Sequence, residues 1–225
     1  MKFTHYLVLA AAALSLGSCN SGGSESVAYF TDIVTLDSST DAGSVMSFRE
    51  LNDSPVITLT STKPLNKEQV GKRIVIVYSP VGTIQHGVSG NVNLINAGLT
   101  YGAGAAPLDA VVDSLDNWKS GEISFMQAYR SGEYLNLGMI LPTNATLEKF
   151  RCYIDITTLD NEYPEIHVVY KAKDGYDSAS GNFFGSYNIS GIWNRPNVKG
   201  IKVLYKGYNN GSTIIEKSSS TEPEK

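Results

Sequence analysis

Short runs in which apolar and polar side chains alternate recur along this chain, and they constrain its fold more than any other feature. Residues 56–61 and 88–95 show the two-residue repeat of a half-buried β-strand. Further runs rich in β-branched and aromatic residues cover 33–36, 45–51, 73–79, 84–86, 123–129, 134–141, 150–156, 166–172, 183–189, 201–208 and 213–217. No stretch keeps a helical period for more than a couple of turns. The sequence therefore predicts an all-β protein.

Turn-forming residues separate these runs. Asp37–Gly43 is rich in Asp, Ser and Gly, which favour turns, and the same is true of two other separators, 52–55 and 80–82. Asn66–Gly71 fits one short helical turn, with Asn66 as its N-cap and Gly71 as its end. Asn209-Asn210-Gly211 permits the positive φ angles of a tight turn, so it predicts a C-terminal hairpin.

The length of 225 residues favours two small β units over one large one. We expect a closed barrel over residues 27–127, because closure removes the exposed edges of short strands. Residues 128–217 contain enough strands for a β-sandwich. Residues 218–225 have no apolar side chain to bury and are predicted to be a disordered tail.

The N-terminus predicts a lipoprotein. Residues 6–16 form an apolar run that is shorter than the ~20 residues of a membrane-spanning helix and is typical of a secretory leader. Leu16-Gly17-Ser18-Cys19 resembles the bacterial lipobox, in which the cysteine is acylated after cleavage behind the preceding residue. We therefore predict a signal peptide over 1–18, lipidation of Cys19, a flexible tether over 19–26 and attachment to a membrane through the lipid. Asn20 resembles the sorting residue that favours the outer membrane, with the periplasmic face and the cell surface both open.

Three segments behind this leader resemble the NigD-like lipoproteins of a Gram-negative phylum common in the gut and mouth. They are Asp32-Ile33-Val34-Thr35-Leu36, Gly71-Lys72-Arg73-Ile74-Val75-Ile76-Val77-Tyr78 and Glu133-Tyr134-Leu135-Asn136-Leu137. The resemblance implies an N-terminal OB-like barrel followed by a C-terminal β-sandwich. It implies no reaction, no cofactor and no catalytic residue.

Several classes of chemistry are not expected. A net charge of -4 and a pI near 5.4 argue against a nucleic-acid partner. Behind the leader His86 and His167 are separate in sequence and Cys152 is the only cysteine after Cys19, so no metal site is predicted. We expect Cys152 to be buried and structural, and His167 to face solvent. With no Gly-x-Ser-x-Gly motif and no cofactor motif, we expect a protein that is not an enzyme.

Two groups of residues are candidates for ligand contact or modification. Exposed aromatic rings stack on sugars, and the aromatic candidates are Trp118, Tyr129, Tyr134, Trp193 and Tyr208. Asp113-Ser114-Leu115 and Asp177-Ser178-Ala179 resemble the Asp-Ser/Thr-apolar sequon for O-glycosylation, which makes Ser114 and Ser178 candidate modification sites.

The function predicted from these observations is a non-catalytic, lipid-anchored envelope protein that binds another envelope protein or a glycan. The alternative is a hydrolase of envelope polysaccharide that uses Asp155 together with Asp160 or Glu162. Such an enzyme needs two facing carboxylates roughly 5 to 9.5 Å apart.

Overall fold

A computed structural model describes residues 27–82, 85–102, 109–111, 124–142, 150–170, 180–205 and 211–217. The predicted signal peptide, Cys19, the tether and the tail lie outside these residues and stay predictions. Within them β-strands make up nearly all of the regular secondary structure, as the alternating pattern predicts.

The first five strands form a closed barrel. Its strand order is β1-β2-β3-β5-β4, and β4 pairs with β1 to close it. β3 and β5 are parallel, whereas the other neighbours are antiparallel. This is the OB-like barrel that the resemblance implies. The strands are β1 (Phe30–Thr40), β2 (Gly43–Phe48), β3 (Ile57–Ser61), β4 (Arg73–Pro80) and β5 (Gly90–Leu99).

The barrel is filled by the side chains that alternate inward along each strand. They include Val34, Leu36, Met46, Phe48, Ile57, Leu59, Ile74, Ile76, Tyr78, Val92 and Leu94. The predicted turn over 37–43 is wrong in its extent, because β1 continues to Thr40 and pairs it with Gly43. A bulge between Leu36 and Ser38 lets the Ser- and Thr-rich stretch keep pairing, so only Asp41 and Ala42 form the turn.

Eight further strands form two sheets. Five of them pair in the order β13-β12-β10-β9-β6, and three pair in the order β11-β8-β7. The strands are β6 (Asp109–Val111), β7 (Ser124–Ser131), β8 (Tyr134–Pro142), β9 (Phe150–Asp155), β10 (Glu165–Tyr170), β11 (Ser180–Asn188), β12 (Gly200–Tyr205) and β13 (Gly211–Glu216). The expected boundary between residues 127 and 128 falls inside β7, which pairs with β8, so strands of the second unit begin before that boundary.

One apolar core joins the two sheets as a β-sandwich. It contains Leu135, Leu137, Met139 and Leu141 from β8, packed with residues of the larger sheet: Cys152, Ile154, Ile166, Val168, Ile201 and Val203. Cys152 is buried, as predicted, and burial raises the pKa of its thiol. A short helix α1 (Ser190–Trp193), not predicted from sequence, adds Ile192 and Trp193 to this core. None of the helices in the described ranges has the length and apolar character needed to cross a membrane.

The barrel and the sandwich meet at a buried arginine. Arg73 at the start of β4 is 3% exposed, and its guanidinium donates to Ser186 Oγ at 3.0 Å and Asn136 Oδ1 at 3.3 Å in the sandwich. The same group donates to Ile33 O and Thr35 Oγ1 in β1. Burial lowers the pKa of Arg73 to about 10, which still leaves it cationic at neutral pH. We call this group the Arg73 seam.

A second contact between the units lies at the β2–β3 connection. Asn52 N donates to Arg130 O and Gly132 N donates to Asn52 O, each at 2.7 Å. Arg130 also donates both terminal nitrogens to the carboxylate of Asp53, at 3.0 and 2.6 Å. This pair lowers the pKa of Asp53, chiefly through the hydrogen bond from Arg130. Backbone and side-chain bonds thus fix the barrel against the sandwich at two places.

Candidate functional site

One histidine of the barrel lies between two carboxylates. His86, in the connection between β4 and β5, places Nε2 2.9 Å from Asp32 Oδ2 and Nδ1 3.0 Å from Glu50 Oε1. Asp32 belongs to β1 and also accepts a hydrogen bond from the hydroxyl of Tyr78 at 2.8 Å. Glu50 follows β2. Asp32 and Glu50 thus contact the imidazole directly and Tyr78 contacts it through Asp32, and we call these four residues the His86 cluster.

The geometry of the His86 cluster favours a charged imidazole. A carboxylate only accepts hydrogen bonds, so His86 can serve both carboxylates only if both ring nitrogens carry protons. The hydrogen bond to Asp32 raises the pKa of His86 above its ordinary value, partial burial opposes the rise, and the charges of Asp32 and Glu50 add to it. Burial and the neighbouring Asp32 raise the pKa of Tyr78, which keeps its hydroxyl protonated as a donor.

Packing and backbone conformation support this cluster. The His86 ring lies 5.0 Å from the ring of Phe30 and 6.4 Å from that of Phe48, measured between centroids. Gly87 has φ +76, and a Cβ at this position would lie 2.1 Å from Glu50 Oε1. Glycine therefore lets the chain pass Glu50 closely enough for Glu50 to bind His86.

A cavity of about 170 Å³ lies beside the His86 cluster at the same connection. Its lining comes from β3, β4, the start of β5 and the chain between β4 and β5, and includes Leu59, Tyr78, Pro80, Gln85 and Asn91. Two valines of the lining, Val81 and Val88, are 54% and 50% exposed. Tyr78 contributes to the cavity and to the cluster, so the two form one candidate site at an end of the barrel.

Three of the aromatic candidates for ligand contact instead interact with other residues of the protein itself. Trp193 is 6% exposed and stacks with the guanidinium of Arg130 at 4.3 Å from its ring centroid. The guanidinium of Arg73 covers the ring of Tyr134 at 4.5 Å. Burial and the charge of Asp32 raise the pKa of Tyr129, while the charge of Arg73 and a hydrogen bond with Asn136 partly oppose the rise. The structure brings Tyr129 and Tyr134 to the Arg73 seam and places none of the three at the barrel cavity.

The other sequence candidates lie outside the described residues. They are Trp118 and Tyr208 for ligand contact, Ser114 and Ser178 for O-glycosylation, and Cys19 for lipidation. These five stay predictions.

The carboxylates of the hydrolase alternative are engaged in other contacts. Asp160 binds Arg195 at 3.0 Å, and Glu162 binds Lys199. Asp155 accepts from the hydroxyl and the backbone N–H of Thr157, and these hydrogen bonds lower its pKa. A general acid for glycoside hydrolysis needs a raised pKa, so the shift at Asp155 runs against this role.

Sequence reasoning missed one group of side chains on the outer face of the sandwich. Asp155, Glu165 and His167 bring one ligand atom each to within 4.8 Å of the others. His167 is 24% exposed while Ile166 and Val168 are buried, so its predicted outward direction is confirmed. The signal available in the sequence is an acid two residues before a histidine on one strand face, with another acid ending the preceding strand.

Comparison with known proteins gives matches at the level of structure. No family model matches the chain, and no curated protein matches it. A solved protein of unknown function from Bacteroides vulgatus has a TM-score of 0.57 at 15% identity, covering 86% of this chain and 93% of that one. A candidate lipoprotein from Bacteroides fragilis has a TM-score of 0.56 at 13% identity, covering 85% and 99%.

A NigD-like immunity protein from Bacteroides caccae is similar to the same extent. Its TM-score is 0.56 at 15% identity, and the match covers 88% of this chain and 95% of that one. At such identities the likeness concerns the fold. The chain thus has the fold of a NigD-like protein, the fold that the resemblance in sequence implies.

Proposed function

We propose that this protein is a non-catalytic, lipid-anchored protein of the outer membrane that binds another envelope protein at the barrel end. The lipobox ending in Cys19 carries the anchoring part of this proposal. Its support is the fold shared with a candidate lipoprotein from Bacteroides fragilis, together with the resemblance to NigD-like lipoproteins. Several acyl chains on one cysteine hold a protein durably at a membrane, because each buried CH₂ contributes about 0.8 kcal/mol.

The binding part rests on the cavity beside the His86 cluster. OB folds bind their ligands on the face of strands 2 and 3 and at the loops between strands 1 and 2 and between strands 4 and 5. Here β3 and the β4–β5 connection both line the cavity. Its volume of about 170 Å³ is below the roughly 300 to 1,000 Å³ of a small-molecule pocket. It is suited to one side chain of a partner whose remaining contacts lie outside.

A protein partner fits this end of the barrel better than a glycan. Val81 and Val88 are half exposed at the cavity, and exposed apolar side chains gain free energy when a partner covers them. Sugars instead stack on aromatic rings. Tyr134 and Trp193 already have ring faces covered by arginines of the protein itself. A protein that inserts one apolar side chain between the valines is therefore the partner we favour.

Anchoring is tested by replacing the predicted lipidated residue. Cys19→Ser removes the thiol that would be acylated. In detergent phase partitioning, the variant should therefore be found in the aqueous phase and the wild type in the detergent phase. Mass spectrometry of the wild type should find acylated Cys19 as the first residue. Cys152→Ala is the matched control and should stay in the detergent phase, because Cys152 is buried in the sandwich. An unmodified Cys19 in an intact leader would contradict the anchor.

Binding is tested with a photoreactive amino acid placed in intact cells at Val81 and, separately, at Val88. Both positions should give one common adduct with an envelope protein. Adding Val88→Asp to the Val81 probe should abolish that adduct, because the charge would be desolvated on binding. The control probe is Ile214, which is 53% exposed on β13 in the sandwich. Equal adducts at Ile214, or an adduct containing carbohydrate alone, would contradict a protein partner at the cavity.

A further inference from the structure

Three potential metal ligands converge on the outer face of the larger sandwich sheet. Asp155 ends β9, Glu165 begins β10, and His167 follows two residues later. β9 and β10 are antiparallel with Ile166 opposite Ile154. This register places Glu165 across from Asp155, and the two-residue repeat of a strand puts His167 on the same face as Glu165. The fold thus brings Asp155 to two residues that lie ten and twelve positions later in the sequence.

We infer that Asp155, Glu165 and His167 form a binding site for a divalent transition-metal ion of the zinc class. Their ligand atoms lie within 4.8 Å of one another, a separation that one ion can bridge with small side-chain movements. Carboxylate oxygen and imidazole nitrogen are both zinc ligands, and three protein ligands leave a fourth position for water or a partner's side chain. The Glu165 and His167 side chains are 27% and 24% exposed, but His167 Nε2, which lies 3.8 Å from Glu165 Oε2, is itself buried, so the imidazole must turn slightly for an ion to reach that nitrogen.

Hydrogen bonds already hold one of the ligands in place. Asp155 Oδ1 accepts from Thr157 Oγ1 at 2.6 Å and from Thr157 N at 2.9 Å. Such bonds orient a metal-binding carboxylate and keep it ionised.

One of the three proposed ligands, Glu165, already binds a cationic side chain. Lys202, which is paired with Glu165 across the parallel strands β10 and β12, places Nζ 2.8 Å from Glu165 Oε1. Its ion pair is with Glu165, and Asp155 lies on β9, on the other side of β10 from Lys202. The lysine stem is flexible, and Lys202 can turn aside when a divalent ion binds. Lys202 therefore competes with the metal and sets its affinity.

The donor set distinguishes zinc from the alkaline-earth ions. Calcium takes six to eight oxygen ligands, and magnesium prefers an octahedral shell of oxygens and water. A histidine nitrogen adds little for either ion, whereas it binds zinc well. We therefore expect zinc to bind here and calcium and magnesium to bind poorly.

The site is tested by calorimetric titration of zinc chloride into chelator-treated full-length protein in detergent micelles. The wild type should bind zinc at this site, and His167→Gln should weaken that binding at least roughly tenfold because it removes a ligand. His86→Gln is the matched control, since His86 also contacts two carboxylates but lies in the barrel. This control should keep the zinc affinity of the wild type. Calcium chloride should give no comparable binding.

Lys202→Met provides a variant with the opposite expected effect. Removing the competing ammonium group should strengthen zinc binding, and the rise in melting temperature on adding zinc should grow accordingly. Asp160→Asn, an exposed acid of the same unit that binds Arg195, should change neither quantity. The inference is overturned if the wild type binds no zinc. It is also overturned if His167→Gln binds zinc as well as the wild type, or if His86→Gln removes the binding.

Discussion

His86 links the protonation state of one side chain to the stability of the barrel. Its two ring nitrogens meet Asp32 and Glu50, and the Tyr78 hydroxyl donates to Asp32 Oδ2, the oxygen that His86 Nε2 also contacts. Because the folded state raises the pKa of His86, the folded protein holds this proton to a higher pH than the unfolded chain. The stabilisation is therefore complete below the unfolded pKa of about 6.5 and disappears as the pH rises through the folded pKa.

His86→Gln should remove this pH dependence. At any pH between roughly 5 and 6.5, where the imidazole is charged, we expect the unfolding free energy of the variant to be about 1 to 2 kcal/mol below that of the wild type. The difference from the wild type should shrink above that range. Urea denaturation at several pH values measures it. Glu50→Gln keeps an acceptor for Nδ1 but removes its charge, so it should reduce the dependence by about half. A difference that stays constant with pH would contradict a charged His86.

The turn between β1 and β2 depends on a glycine. Gly43 has φ +140, and a Cβ there would lie 2.1 Å from the carbonyl oxygen of Ser61, a backbone atom that cannot move aside cheaply. Gly43→Ala should therefore cost roughly 3 kcal/mol of unfolding free energy. Gly71→Ala is the matched control, because Gly71 has φ +80 but no atom within 4 Å of the Cβ position. Its cost should be about 1 kcal/mol, and equal losses in the two variants would contradict the clash.

The strands were predictable where the core imposes a strict alternation of apolar and polar residues. They were less predictable where contacts with distant residues fix the backbone conformation. Residues 134–141 match β8 closely, since every second side chain enters the sandwich core. The predicted strand over 84–86 is not seen at His86, which lies in a turn where its two carboxylate partners hold it. The Asn66 cap and the Gly71 end of the short helical turn are confirmed, because both depend on local chemistry alone.

The candidate site was hard to predict because its members come from distant parts of the chain. Nothing in the sequence brings Glu50 to His86, or Asp155 to His167. Strand register decides the second contact, because a shift of one residue would turn every side chain to the other face, whereas the first depends on how the chain leaves β2 and β4. The N-terminal prediction differs in kind, since a leader and its Cys19 are recognised from adjacent residues alone.

At the scale of the whole molecule, the Arg73 seam couples the two β units. A buried guanidinium binds neutral acceptors in β1 and in the sandwich, and the ring of Tyr134 stacks on it. Asn136 and Ser186, two of the acceptors, are themselves 0% exposed and hydrogen-bonded to each other at 2.7 Å. Loss of the arginine would leave buried polar groups on both sides of the seam with fewer partners. The barrel and the sandwich should accordingly unfold together.

Arg73→Met should lower the unfolding free energy of both units by about 3 kcal/mol, because it leaves acceptors unsatisfied in each. Trp193 reports on the sandwich once Trp118→Phe removes the other tryptophan. In that background, its fluorescence midpoint in urea should fall together with the midpoint of the circular dichroism signal. Lys67→Met, which removes an exposed barrel cation paired with Asp41, is the matched control and should change stability by less than about 0.5 kcal/mol. If the Trp193 midpoint stayed at its original value while the circular dichroism signal split into two transitions, the units would be independent and the seam would not couple them.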